Sequence, residues 1–217
     1  MKQPGKFAAS TALWAGLAAA SHLVYAPPLI AEEPPAACKA FNIDDKGYVA
    51  LRPATATRDC KMGKRMGVPM PDPNCTPGAF NPSVTPAVLR DPKFTIKCLR
   101  NDMLTEEQRA ITYTGYGLAR PAYNDGKDQT CELDHLVPRE LGGTDTLDNI
   151  WPLCGPPGVM LSARYFREKD KVEDYLAMMV KAGKMELADA QKGIAADWTQ
   201  YSAAARKACP GEMCGRK

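Results

Sequence analysis

Residues 131–152 read CELDHLVPRELGGTDTLDNIWP, and the organisation of the chain hangs on them. Leu133, Asp134, His135, Leu136 and Val137 form an apolar-rich run closed by Pro138, which predicts a strand over 133–137. Gly142, Gly143 and Asp145 predict a loop. Asn149, Ile150 and Trp151 predict a second short strand, ended by Pro152. Tyr165, Val172, Leu176, Met179 and Val180 then recur at helical spacing, with Ser162 a suitable N-cap and Gly183 a suitable stop. Strand, loop, strand and helix make a compact unit that can hold a metal ion between the loop and the helix.

The residue types in this unit suit hydrolysis of a phosphodiester. Water must lose a proton, and histidine titrates near neutrality. Charge on the phosphate oxygens must be absorbed, and a carboxylate can hold a hard divalent ion there. Asp134 and His135 would face opposite ways along a strand. At a strand end that bends into a loop, one can face the ion and the other the water. Asn149 can hydrogen-bond the loop backbone or the imidazole and so orient it. His135 is one of two histidines, and the other is His22.

DHLVPRELGG followed by NIWP resembles the HNH, or His-Me finger, endonucleases, and more closely a secreted bacterial subgroup of them. In that subgroup DHLIP-x-ELGG and NLWP are followed by a helix carrying KD-x-x-E; here Lys169, Asp170 and Glu173 stand in that pattern. The likeness starts near CTPGAFNPSVT at Cys75 and runs to about Trp198. It implies an α+β fold, a small ββα-metal finger embedded in helices, and an exported endonuclease of low sequence preference. His135 is then the general base, Asn149 its orienting partner, and Asp134 the ligand of a divalent metal, Mg²⁺. The substrate would be nucleic acid, DNA before RNA, with the protein a monomer. Such enzymes usually place a further His or Asn ligand on the helix. No Asn follows Asn149, Tyr165 stands near that place, and Ser162 is the other polar neighbour. Asp170 is the expected second ligand, or else pairs with Lys169 or Lys171. Arg164, Arg167 and Lys169 are the expected contacts to the phosphate backbone. The alternative is a catalytically inactive exported binding module on the same fold.

Outward from this unit, residues 1–31 read as a secretory signal. Lys2 and Lys6 precede an apolar stretch over 11–26, with cleavage expected after Ala31, so the mature protein would be secreted or periplasmic and free of the membrane. The formal charge of +3 falls to +1 once Lys2 and Lys6 leave, which excludes a broadly basic nucleic-acid binder and confines any contact to a local patch. All eight cysteines follow the expected cut, an even number suited to disulfides. Cys131 and Cys154 flank the two predicted strands and should pair. Cys75 and Cys98 bracket one segment of the likeness and are expected to pair as well. Cys38, Cys60, Cys209 and Cys214 are left open. A cysteine nucleophile is disfavoured, because a bonded sulfur does not attack.

Residues 32–74 are expected to be an irregular Pro-rich arm with a small cationic cluster at Lys61, Lys64 and Arg65. Residues 75–208 form the expected nuclease-like domain, and 209–217 a tail. Met66 onward to Pro77 should lack regular structure, and 94–96 should be a short strand. Thr105 opens a capping box for a helix to about Thr114, with Ala110, Ile111 and Tyr113 packed. Tyr116, Arg120 and Tyr123 stand on the approach to the site. A last helix is expected over 186–208, its stripe formed by Leu187, Ala190, Ile194, Trp198 and Tyr201.

Overall fold

Two five-residue strands, β5 (Cys131–His135) and β6 (Ile150–Cys154), pair antiparallel with Cys131 opposite Cys154 and His135 opposite Ile150. The computed structural model describes residues 36–41, 43–44, 47–99, 106–122, 128–211 and 214. The signal segment, Thr105, Tyr123 and most of the 209–217 tail lie outside them.

β5 begins and ends two residues earlier than its apolar pattern suggested. The ladder continues through Leu136, whose N–H donates to the Asn149 carbonyl at 2.7 Å. At Val137 the N–H instead donates to the Asn149 side chain at 2.9 Å, and the pairing stops there. β6 runs through Pro152 rather than ending at it. Pro152 faces Leu133, between the bonded pairs, where no N–H is needed by the partner strand.

Behind the hairpin lies α3 (Tyr165–Lys181), whose buried face is Phe166, Lys169, Val172, Leu176, Ala177 and Val180. Ser162 does not cap it. A 3₁₀ turn over Leu161–Ala163 intervenes, and Arg164 is the cap residue without a side-chain bond. The expected last helix is divided into α4 (Leu187–Asp197), a 3₁₀ turn (Trp198–Tyr201) and α5 (Ser202–Ala208). The division falls at Asp197, whose carboxylate accepts from the N–H of Thr199 at 3.0 Å and its hydroxyl at 2.6 Å. That local bond competes with helix continuation. Leu187, Ala190, Ile194 and Trp198 are buried as expected and join Trp151, Phe166 and Leu176 in one core.

Several shorter elements precede the hairpin. β1 (Val49–Ala50) pairs with β4 (Ala79–Phe80), and β2 (Gly63–Arg65) with β3 (Val68–Met70). The β2–β3 hairpin replaces the irregular stretch expected after Met66. Its two-residue turn, Met66-Gly67, has both φ values positive, 50° and 83°, the geometry that matches strand twist. α1 (Pro86–Arg90) starts at Thr85, whose hydroxyl accepts from the Val88 N–H. No strand forms over 94–96. The Asp91 carboxylate accepts from the Lys93 N–H and the Asp91 carbonyl from the Phe94 N–H, and this turn leads into a 3₁₀ segment, Ile96–Leu99. α2 (Glu106–Gly115) buries Thr112 and Tyr113 and leaves Ile111 exposed.

Four disulfides join all eight cysteines: Cys38–Cys98, Cys60–Cys75, Cys131–Cys154 and Cys209–Cys214. The cross-strand bond from Cys131 to Cys154 follows from the register. The expected Cys75–Cys98 bond does not form. Cys75 lies at the foot of the β2–β3 hairpin beside Cys60, and Cys98 faces the 3₁₀ segment Ala36–Phe41. The two bonds thus tie 36–74 to the rest rather than closing a loop within it. Complete pairing fits an oxidising compartment outside the cytoplasm. Among the described residues no helix is long and apolar enough to cross a membrane.

Candidate functional site

The strand alternation of β5 sends Asp134 and His135 to different partners. Asp134 is buried, and its Oδ1 accepts from the Trp151 indole N–H at 3.1 Å and pairs with the Lys169 ammonium at 2.7 Å. His135, about one-sixth exposed, places Nε2 3.2 Å from Asp145 Oδ1. Asp145 Oδ2 in turn accepts from Arg109 at 3.0 Å. Burial alone would push the Asp145 carboxyl up. The bond and charge of His135, with Arg109 and Arg139, outweigh that and hold it below the ordinary aspartate value. In the neutral imidazole an Asp145 carboxylate places the proton on Nε2 and leaves Nδ1 as the acceptor. No hydrogen bond reaches Nδ1 among the described residues.

Asn149 is fully buried and does not touch the imidazole. Its NH₂ donates to the carbonyls of Val137 and Thr144 at 2.9 and 2.8 Å, and its oxygen accepts from the N–H groups of Ala79 and Val137. It clamps the loop that carries Asp145 and so acts on His135 indirectly, as a positioning residue. Gly143 makes this loop possible. A Cβ there would fall 1.7 Å from the Val137 carbonyl oxygen, so no other residue fits.

Lys169 was expected to meet substrate. Its side chain is entirely buried, and its ammonium donates to the His135 carbonyl at 2.7 Å and to Glu173 at 2.5 Å as well as to Asp134. Burial alone would lower its pKa, but Asp134 and Glu173 reverse this and hold it above the ordinary lysine range. Burial pushes the Glu173 carboxyl well above the glutamate value, with the neighbouring Asp134, Glu140 and Asp170 adding to the rise. Arg164 is likewise buried and donates to the Pro156 carbonyl, fastening the turn after β6 rather than facing solvent. Of the three expected backbone contacts, only Arg167 reaches open space. It pairs with Asp170 at 3.0 Å and lies 5.6 Å from the Phe166 ring centroid.

His135, Asp134, Glu132, Asp170, Arg139 and Arg167 line one cleft of about 220 Å³. Burial, then the charges of Asp134 and Asp170, pushes the Glu132 carboxyl up to about 7. Burial and Asp134 also raise Asp170. Glu132 in the cleft and Asp145 behind the imidazole were not among the site residues expected from the sequence. Glu132 carried a usable signal, since it is two residues from Asp134 and shares its face of β5.

The residues present do not fit the divalent ion expected at Asp134. Among the described residues no group of three or more His, Cys, Asp or Glu side chains is placed to hold a metal. Asp134 is spent on Lys169 and Asp170 on Arg167. The position beside Asp134 is occupied by an ammonium belonging to the chain itself.

No family model matches the chain, and no curated protein or solved structure does.

Proposed function

We propose that the chain is an exported endonuclease in which β5, β6 and α3 serve as a ββα finger and His135 is the general base. The observation that carries this is the His135–Asp145–Arg109 chain at the edge of the cleft. It holds the proton on Nε2 and turns Nδ1 into a free acceptor, the state a water-activating imidazole needs. Water gives its proton to Nδ1 and attacks phosphorus. Asp145 steadies the imidazolium that results. Glu132, pushed to about 7, is the cleft carboxyl suited to return a proton to the leaving oxygen near neutrality as the P–O bond breaks. Arg139 lines the cleft and supplies positive charge for the phosphate oxygens. No step runs through a divalent ion, because Asp134, its expected ligand, is spent on Lys169.

A second reading is a non-catalytic exported binding module. The Asp134–Lys169 pair favours it, since it fills the place where a reacting phosphate's counter-ion would be held. Plasmid nicking separates the two, run with EDTA and with Mg²⁺ or Mn²⁺. Nicking by the parent protein and none by His135→Ala is the expected result. Nicking that persists in His135→Ala removes the mechanism, and absence of nicking by the parent under all conditions leaves the binding module.

A further inference from the structure

With Lys169 and Arg164 internal, a polymer of phosphates must be held by other cations. The cationic side chains around the His135 cleft are largely paired with acids: Arg109 with Asp145, Arg167 with Asp170, Lys171 with Glu168. A different groove, of about 470 Å³, is lined by Arg52, Lys64 and Arg65 over an apolar wall that includes Met70, Pro71 and Leu136. It contains no carboxylate. All three cations are exposed, and none makes an ion pair among the described residues. We propose that this groove seats the phosphodiester backbone of a nucleic-acid strand.

Three features support that occupant. Two of the three cations, Lys64 and Arg65, are carried on a pinned hairpin: the Cys60–Cys75 disulfide closes the foot of β2–β3, and the Asp72 carboxylate accepts from the Lys61 N–H at 2.7 Å. Little order is therefore lost when a ligand binds. At the hairpin tip, next to Arg65, the Met66 side chain is 93 % exposed and held by a backbone with φ of 50°. An apolar tip flanked by cations suits contact with base faces, as apolar wedges do in nucleic-acid grooves. The cations also line a concavity, which fits a strand better than the plane of an anionic membrane. Leu136 lines the groove and His135, the residue before it, lines the cleft. The identity of the polymer rests on the nuclease reading, whereas the groove itself does not.

The test is fluorescence anisotropy with a short labelled DNA duplex, using His135→Ala in EDTA so that no turnover intrudes. The reversal Arg52→Glu/Lys64→Glu/Arg65→Glu is compared with Lys93→Glu/Lys184→Glu/Lys207→Glu, an equal charge change at exposed sites outside the groove. The neutral triple with Gln at 52, 64 and 65 serves if the reversal fails to fold. The groove triple is expected to weaken binding at least about tenfold and to flatten the slope of log K against log salt by about 2 to 3, as loss of three phosphate contacts requires. The control triple should keep most of the affinity and slope. Equal weakening by both triples, absence of binding, or binding only to vesicles of anionic phospholipid overturns the proposal. Duplex binding through the groove by a protein that never nicks plasmid leaves the groove standing and removes the nuclease reading.

Discussion

Replacing Lys169 with Met removes one ammonium and keeps most of the side-chain volume, so the change is electrostatic rather than one of packing. The ammonium serves three acceptors: Asp134 Oδ1 at 2.7 Å, the His135 carbonyl at 2.7 Å and Glu173 Oε1 at 2.5 Å. In Lys169→Met, Asp134 retains the Trp151 N–H, and the Lys169 contacts of Glu173 and the His135 carbonyl are lost. Breaking a buried pair from one side costs about 3–5 kcal/mol, because the charge left behind stays desolvated. For a chain of this size that is a fall in Tm of about 6–20 °C. The pH dependence has a definite sign. Without the ammonium, the folded-state pKa of the Glu173 carboxyl rises further above its unfolded value. Its protonation then stabilises the variant as pH falls, and the deficit shrinks toward acid by up to about 1.4 kcal/mol per pH unit for that carboxyl. Guanidinium unfolding at pH 7.5 and pH 5, with disulfides intact, reads both quantities. A loss under about 1 kcal/mol at pH 7.5, or a larger loss at pH 5 than at pH 7.5, refutes the internal-cation account.

Glu132→Gln tests the crowded cleft in the opposite direction. A carboxyl raised to about 7 contributes stability below its unfolded value near 4.5, and that contribution is lost as pH rises through 7. The variant should match the parent at pH 4.5 and exceed it by about 1–3 kcal/mol at pH 8, as measured by denaturant unfolding; an unchanged difference across that range speaks against burial of the charge. Asn149→Ala should cost about 2–4 kcal/mol, because it orphans the N–H groups of Ala79 and Val137 in a site with no solvent access. Amide exchange at Val137 and in the 142–146 loop should rise with it, and a variant as protected as the parent would show that the loop holds itself.

The hairpin and α3 could be read along the chain because each announces itself within a few residues. Apolar runs, the Gly142-Gly143 turn and helical spacing are local signals, and the Cys131–Cys154 bond follows once two adjacent strands are assumed. Other readings failed for different reasons, and distance along the chain explains only one of the two disulfides. Cys75 closes on Cys60, and Cys98 on Cys38, 60 residues away. The β2–β3 hairpin is masked in the sequence by Pro69 within it and by Pro71, Pro73 and Pro77 after it, which outweigh the positive-φ turn at Met66-Gly67.

The charged residues of α3 show the boundary most sharply. Composition and spacing establish that Lys169, Asp170 and Glu173 sit on a helix behind an Asp-His strand. Lys169 falls three residues from both Phe166 and Val172, on the buried stripe, and that spacing was the available hint of its interior place. Which acid it meets depends on how the helix lies against β5, a matter of packing between elements 34 or more residues apart. A one-dimensional pattern records which face of an element is apolar. It does not record what stands opposite, and for buried charge the opposite wall decides whether a side chain holds a ligand or another part of the same chain.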